Sequence, residues 1–230
     1  MRRLLTQTLL STLFVVAIAG VAARAQETPR KSDPPPPPAE TPFDKNRVEG
    51  GALSNDFFGI SFDVPKGWTV LGVAENKAAM EAGRQIVEEG ASEKKKAGIE
   101  ASINRVGVLL NAAKNPPGAP NQSFNALLLC MAERIPTAVI KTGPDYFSAM
   151  QRIFVGTAAK MELTSPLRAQ RVGGVAFTVA DVQSTIGAGV AAQRYYITLS
   201  KGYALVIVYT YFDDADLKTL DEVISSIKFK

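Results

Sequence analysis

The run Tyr203–Phe212, YALVIVYTYF, limits the fold of this chain more than any other stretch. On an extended backbone successive side chains face opposite sides. Tyr203, Leu205, Ile207, Tyr209 and Tyr211 therefore share one face, and Ala204, Val206, Val208, Thr210 and Phe212 share the other. A strand that is apolar on both faces has to be covered on both, so this one is predicted to lie centrally in a sheet with a layer on each side. Val190–Leu199 precedes it across Ser200-Lys201-Gly202, which reads as a hairpin turn centred on Lys201. After it, Asp213 or Asp214 is placed to cap a helix, and Asp216 suits the first turn through the helix dipole. Leu217, Leu220, Val223, Ile224 and Ile227 recur at three- and four-residue intervals and give that helix one buried face.

The preceding segments supply partners for this centre. Phe58, Ile60, Phe62 and Val64 alternate with Gly59, Ser61 and Asp63, a half-buried strand, and Pro65-Lys66-Gly67 turns the chain into a second strand at Trp68 and Val70. Asn76–Lys96 is rich in Ala, Glu, Lys and Met and predicts one helix, with Ala79, Gly83, Ile86 and Val87 on its apolar side and a charged end that reads as a solvated face. Val106–Ala112 and Ser123–Met131 are two-sided apolar strands flanking the loop NPPGAPNQ, and Cys130 falls in register with Phe124, Ala126 and Leu128, into the core. Gly143-Pro144 starts a helix striped by Phe147, Met150, Ile153 and Phe154. Strands follow at Lys160–Thr164 and Val175–Gln183, the latter turning at Gly187-Ala188-Gly189. The expected fold class is α+β, an antiparallel sheet with helices on both faces.

The chain has 230 residues, and its first 25 read as a secretory signal peptide. Arg2 and Arg3 are followed by apolar Leu9–Ala19 and by Ala23-Arg24-Ala25, with cleavage expected before Gln26. The apolar stretch is short for a bilayer span of about 20 residues, which favours cleavage over the alternative of a retained anchor, and a cleaved leader leaves no stable membrane anchor. Residues 26–51 form a proline-rich linker around Pro34–Pro38, read as an extended spacer, and residues 52–230 form the domain. The leader carries three of the 26 basic residues and none of the 22 acids, which leaves the remainder at +1. That balance offers no electrostatic footprint for nucleic acid.

Histidine is absent, which excludes Ser-His-Asp and Cys-His catalysis and histidine metal sites. Cys130 is the single cysteine, so no intramolecular disulfide forms and a buried thiol serves as a small apolar residue. Ser92 and Lys95 have the spacing of a Ser-Lys dyad, but an exposed lysine keeps its proton. Asp213, Asp214 and Asp216 lack the spacing of a calcium loop and read as helix caps. The glycines at 173–174 and 187–189 match no phosphate-binding pattern and read as turns. No catalytic residue, metal site or cofactor is expected.

One polar constellation remains. With the turns centred on Ala188 and Lys201, Asp181 faces Tyr195, Gln183 faces Gln193, and Gln193 faces Tyr209. Asp181, Gln183, Gln193, Tyr195 and Tyr209 would then form a polar patch at one end of the sheet, a candidate site for a ligand or partner beside the plainer reading of a wet row beyond the covering helix.

FGISFDVPKGW at Phe58–Trp68 and the ending RYYITLSKGYALVIVYTY with LKTLDEVISSIKF resemble the PsbP-like superfamily. That group includes the extrinsic PsbP subunit of photosystem II, the periplasmic DcrB-like proteins and a Ran-binding nuclear-import factor. The resemblance spans roughly Leu53–Lys230 and implies an α/β/α sandwich that binds without catalysis. No motif here matches the metal-linked or Ran-linked residues of those proteins, and nothing supports a photosynthetic role. The expectation is an exported, non-enzymatic interaction or assembly/chaperone-like protein of the periplasm or cell surface, whose partner is another envelope or secreted protein. The alternative is a carrier or sensor of a small apolar or amphiphilic ligand held between sheet and helix, with Met80, Met150 and the tyrosines as lining.

Overall fold

A computed structural model describes residues 45–117, 119, 125–186 and 189–230. The expected leader, the linker up to residue 44 and Phe124 lie outside the described residues. The folded part begins before the expected boundary at residue 52: β1 (Asn46–Glu49) pairs antiparallel with β2 (Ala52–Asn55), Val48 opposite Leu53. Strand β3 (Ile60–Asp63) pairs with β2, and the short closing strand β12 (Lys228–Phe229) pairs with β3, giving a small sheet in the order β1-β2-β3-β12.

The large sheet is antiparallel, in the order β4 (Thr69–Val70), β5 (Val106–Ala113), β6 (Leu127–Arg134), β11 (Tyr203–Tyr211), β10 (Gly189–Ser200), β9 (Val175–Ile186), β7 (Ala159–Leu163). The outer side of β9 is shared, since β7 pairs with Val182–Ile186 and β8 (Arg168–Val172) with Val175–Val179. The two-sided strands β6 and β11 sit in the middle, as the alternation requires. One face is covered by α1 (Val73–Glu88), α2 (Glu93–Ile103) and α3 (Gly143–Phe154). Its core joins Val87, Ile99, Phe147, Met150 and Ile153 to Val182, Tyr195, Val206 and Val208. The other face is covered by α4 (Asp214–Ser226) and the small sheet, with Leu53, Phe62, Leu220 and Ile224 against Cys130, Tyr196, Leu205, Ile207 and Tyr209. The fold is α+β with helices on both faces of an antiparallel sheet, and a second sheet shares one of those faces with α4.

Local chemistry explains the helix starts. Thr142 Oγ1 accepts from Asp145 N at 3.2 Å while the Asp145 carboxylate accepts from Thr142 N at 2.9 Å, a reciprocal cap for α3. Asp213 Oδ1 accepts from Asp216 N at 2.7 Å and caps α4.

The expectation for the first helical stretch is corrected, and one strand was missed. The helix over Asn76–Lys96 is two helices, broken between Glu88 and Glu93 at Gly90, whose φ of +76° suits glycine. The charges around 88–96 are that break and the start of α2, not the end of one rod. Strand β8 was not expected, because Arg168, Gln170 and Arg171 mask its pattern. The opening strand, turn and strand form as expected; β3 and β4 belong to different sheets, and the turn that joins them is closed by Trp68 N donating to Pro65 O at 3.1 Å. Proline therefore occupies the first turn position, and Gly67, with a φ of +82°, the third.

Candidate functional site

The turn at Lys201-Gly202 holds two residues, one fewer than a turn centred on a single residue needs, and the other expected turn centre, Ala188, lies outside the described residues. Ser200 pairs with Tyr203, and Ile186 with Gly189. At Lys201-Gly202 the φ values are 51° and 81°, the left-handed pair that lets a two-residue turn follow the twist of its strands. The register is thereby displaced by one residue from the expectation. Asp181 faces Arg194, Gln183 faces Ala192, Tyr195 faces Ala180 and Val208, and Gln193 faces Val182 and Thr210. A one-residue slip exchanges faces. The five expected residues consequently divide between opposite sides of the sheet.

Gln193 and Tyr195 lie on the α3 side, completely buried. Gln193 Oε1 accepts from Ser184 Oγ at 2.8 Å and from Tyr195 Oη at 2.9 Å, and its Nε2 donates to Thr210 Oγ1 at 3.0 Å. Burial raises the Tyr195 phenol above its ordinary range. The Phe147 ring packs edge-on against Tyr195 at 6.3 Å. This group is a sealed, mutually satisfied knot in the core and is closed to ligands.

Asp181, Gln183 and Tyr209 lie on the α4 side. Gln183 is exposed at the strand's end. Asp181 is held between two arginines: Arg194 Nε donates to Oδ1 at 2.5 Å, and Arg168 pairs with Oδ2. Desolvation works against the charge on Asp181, but the bonds from Arg194 and Arg168 outweigh it and keep the carboxyl below its ordinary value. Arg194 also reaches Asp221 of α4 at 3.3 Å, and Tyr209 Oη donates to the same oxygen at 3.1 Å. Tyr209 itself is buried, which raises its phenol well above the usual range, with Tyr196 and Asp221 adding to the effect. The chain Arg168–Asp181–Arg194–Asp221–Tyr209 ties four strands, β8, β9, β10 and β11, to α4. Sequence reasoning missed Arg168, Arg194 and Asp221, and the only signal for them was the turn length.

The other polar candidates are also engaged. The ammonium of Lys95 donates to the carbonyl of Val155 at the end of α3, and partial burial lowers its pKa, so it does not belong to a free, charged end. Asp216, nearly buried, pairs with Lys114 at 2.6 Å. Cys130 is fully buried, and desolvation pushes its thiol far above the ordinary range.

A recess of about 700 Å³ opens at the β5 edge of the large sheet. Strand β4 pairs only with Ala112 and Ala113 of β5. Leu71 N then donates to Asn111 O at 2.8 Å, and the chain leaves the edge to start α1. Val73, Lys77, Met80 and Arg84, spaced by four, three and four residues on one side of α1, face Val106 and Val108 of β5 across the recess. Met80 thus occupies the kind of position expected of a lining residue, whereas Met150 is completely buried in the core. Arg84 is bound to Glu81 at 2.5 Å and Glu88 at 2.6 Å, and its bonds, together with one from Gln85, hold Glu81 down to about 2. Lys77 forms no ion pair with a described residue. Beside the recess, Asn111 Nδ2 donates to Asn76 Oδ1 at 2.9 Å, while Asn111 Oδ1, on a side chain only 6% exposed, has no hydrogen-bond partner among the described residues. No described helix is long and apolar enough to cross a membrane.

The chain is similar in structure to cyanobacterial PsbP (CyanoP) from Synechocystis sp. PCC 6803, with 17% identity and a TM-score of 0.48, over 78% of this chain and 91% of that one. It is also similar to LpqN of Mycobacterium tuberculosis, a protein involved in cell envelope biogenesis, with 12% identity and a TM-score of 0.36, over 74% of this chain and 83% of that one. The first of these is a PsbP, the group that the terminal motifs resemble. No family model matches the chain, and no curated protein matches it.

Proposed function

We propose that this protein is an exported, non-catalytic interaction protein of the cell envelope, assembly- or chaperone-like, whose partner is another envelope or secreted protein. The observation that carries this reading is the β5 edge with its recess. Val73 is 88% exposed where it lines the recess, beside Met80, Ile103, Val106 and Val108, an apolar surface with a charged rim. The polar clusters described above hold strands and helices together, and this surface is suited to contact. Chemical cross-linking in the intact envelope, followed by purification and native mass spectrometry, tests the proposal. A stoichiometric protein complex supports it. A protein that elutes alone from every cross-linked envelope preparation refutes it.

A second reading has its own observation. A volume of about 700 Å³ falls within the ~300–1,000 Å³ of small-molecule sites, and Met80, Ile103, Val106 and Val108 give it an apolar lining suited to a carrier of an amphiphile. A mass adduct of a few hundred daltons on protein purified without detergent would favour this reading over the first.

A further inference from the structure

We infer that the groove between the β10–β11 turn and the loop after β6 holds the chain's own proline-rich segment, Pro34–Pro38, with the acids that flank it set against Lys141 and Lys201. The inference goes beyond the interaction reading above and concerns a different surface, since no residue of this groove lines the recess at β5.

Three features converge on the groove. The first is its wall. The groove holds about 320 Å³, at the small end of ligand sites, which suits a few proline rings. Ile135 N donates to Gly202 O at 3.1 Å and fixes the loop to the turn. Buried Ile140 and half-buried Leu199 and Tyr203 make the lining apolar. The Tyr203 ring is held by edge-on contacts with Phe57 at 5.7 Å and Phe58 at 6.0 Å. Proline-rich segments dock on aromatic-lined grooves because their extended helix is preformed and loses little entropy.

The second feature is charge. Lys141 and Lys201 line the groove and no acid does. The Lys201 ammonium donates to the Phe57 carbonyl and lies 5.1 Å from the centroid of the Phe57 ring, and neither contact cancels its charge. The nearby Asp145 carboxylate caps α3 by accepting from the N–H groups of Lys141 and Thr142; counted in full, it still leaves the rim positive. Residues 32–44 carry Asp33, Glu40 and Asp44 and no base, with Arg30 and Lys31 farther out. The third feature is reach. Lys45, where the described residues begin, accepts at its carbonyl from Asp56 N at 3.2 Å. The segment therefore joins the domain beside Asp56-Phe57, and Phe57 is the ring that touches Tyr203 and Lys201. Pro38 lies seven positions before Lys45, a reach of about 23 Å when extended, which covers the two contacts between Lys45 and the groove.

The test uses the protein purified from its own envelope, with a diazirine amino acid at exposed Thr137 in the groove and, in a second sample, at exposed Lys218 on α4. Tandem mass spectrometry reads the linked residues, and mixing with an isotope-labelled copy separates links within one chain from links between two. The expected result is a link from Thr137, and not from Lys218, to residues 33–40 of the same chain. A tether this short supplies an effective concentration of about 1 mM, so even a contact with a Kd of about 0.3 mM is closed about three-quarters of the time. Replacing Pro34–Pro38 by glycine and serine should abolish the link and speed amide exchange at residues 137–141 about fourfold. Lys141→Glu should weaken the contact about threefold, as loss of a surface charge pair does, and Asp33→Lys with Glu40→Lys should restore it. A link that survives loss of the prolines, equal links from Thr137 and Lys218, or no link from Thr137 overturns the inference. So does a link from Thr137 to a second copy, to another protein or to a lipid.

Discussion

Replacing Gln193 by alanine distinguishes the observed register from the one expected. In an exposed polar patch Gln193 would be a surface residue, and its truncation would change stability by less than about 0.5 kcal/mol. In the structure it is fully buried and joins the hydroxyls of Ser184, Tyr195 and Thr210. Three buried hydrogen bonds at about 1 kcal/mol each are lost, and the hydroxyls that remain must find new partners. Removing the rest of the side chain leaves a cavity under α3 that adds about 1–2 kcal/mol. The expected loss for Gln193→Ala is therefore about 3–5 kcal/mol, or roughly 10 °C in melting temperature for a domain of this size. Gln183→Ala, from the same expected patch but exposed on the opposite side, should lie within about 0.5 kcal/mol of the parent. Urea unfolding of residues 26–230, followed by circular dichroism and by the fluorescence of Trp68, measures both. A loss below about 1 kcal/mol for Gln193→Ala, or equal losses for the two glutamines, would refute the sealed network and the register that forms it.

The Asp181 carboxyl is held below its ordinary value of 3.8, so its pairing with Arg194 and Arg168 stabilises the fold at higher pH and is lost as pH falls through the lowered folded-state value. Asp181→Asn should accordingly be less stable than the parent at pH 7, with the gap closing below the ordinary carboxyl value; a gap independent of pH would contradict this. Leu220, completely buried between α4 and the sheet, should cost about 2–5 kcal/mol as alanine in thermal melting, and a melting point unchanged from the parent would exclude that packing. A methyl group at Gly143 would sit 2.7 Å from Thr178 Cβ and 2.3 Å from its Oγ1, so Gly143→Ala should lose about 1–3 kcal/mol in chemical denaturation despite alanine's better helix propensity. Cys130, buried with its pKa raised, should resist aromatic disulfide reagents in the native protein and react at once in urea; rapid native labelling would place it outside the core.

How far the pattern of residues carries can be followed strand by strand. The two-sided run at Tyr203–Phe212 was enough to place β11 in the middle of a covered sheet, because burial on both faces leaves no other position for it. The stripes of Phe147, Met150 and Ile153 and of Leu220, Val223 and Ile224 likewise placed α3 and α4, since the 3.6-residue period is a property of the helix itself. Strand β8 was missed because its only fully buried side chain is Val172 and its charged residues face water or Asp181. The break at Gly90 was missed because the residues on both sides of it have good helix propensity, so only packing reveals the corner.

The candidate site depended on a quantity that periodicity does not contain. Alternation states which residues of one strand share a face; it does not state which residue of the next strand stands opposite. That offset is decided by whether Lys201-Gly202 or Ser200-Lys201-Gly202 makes the turn, and the right-handed twist of the strands favours two residues with positive φ. One residue of difference moved Gln193 and Tyr195 into a sealed core and Asp181 and Tyr209 to the α4 side. The open β5 edge was equally invisible, because it exists only where β4 stops at Val70 and α1 begins. Composition and periodicity by themselves determined the fold class, the central strand, the helices that cover it and the chemistries that a chain without histidine cannot run. Tertiary structure alone decided which polar groups meet and where an edge is left unpaired, because both follow from register and chain path, which are set by contacts between residues far apart in sequence.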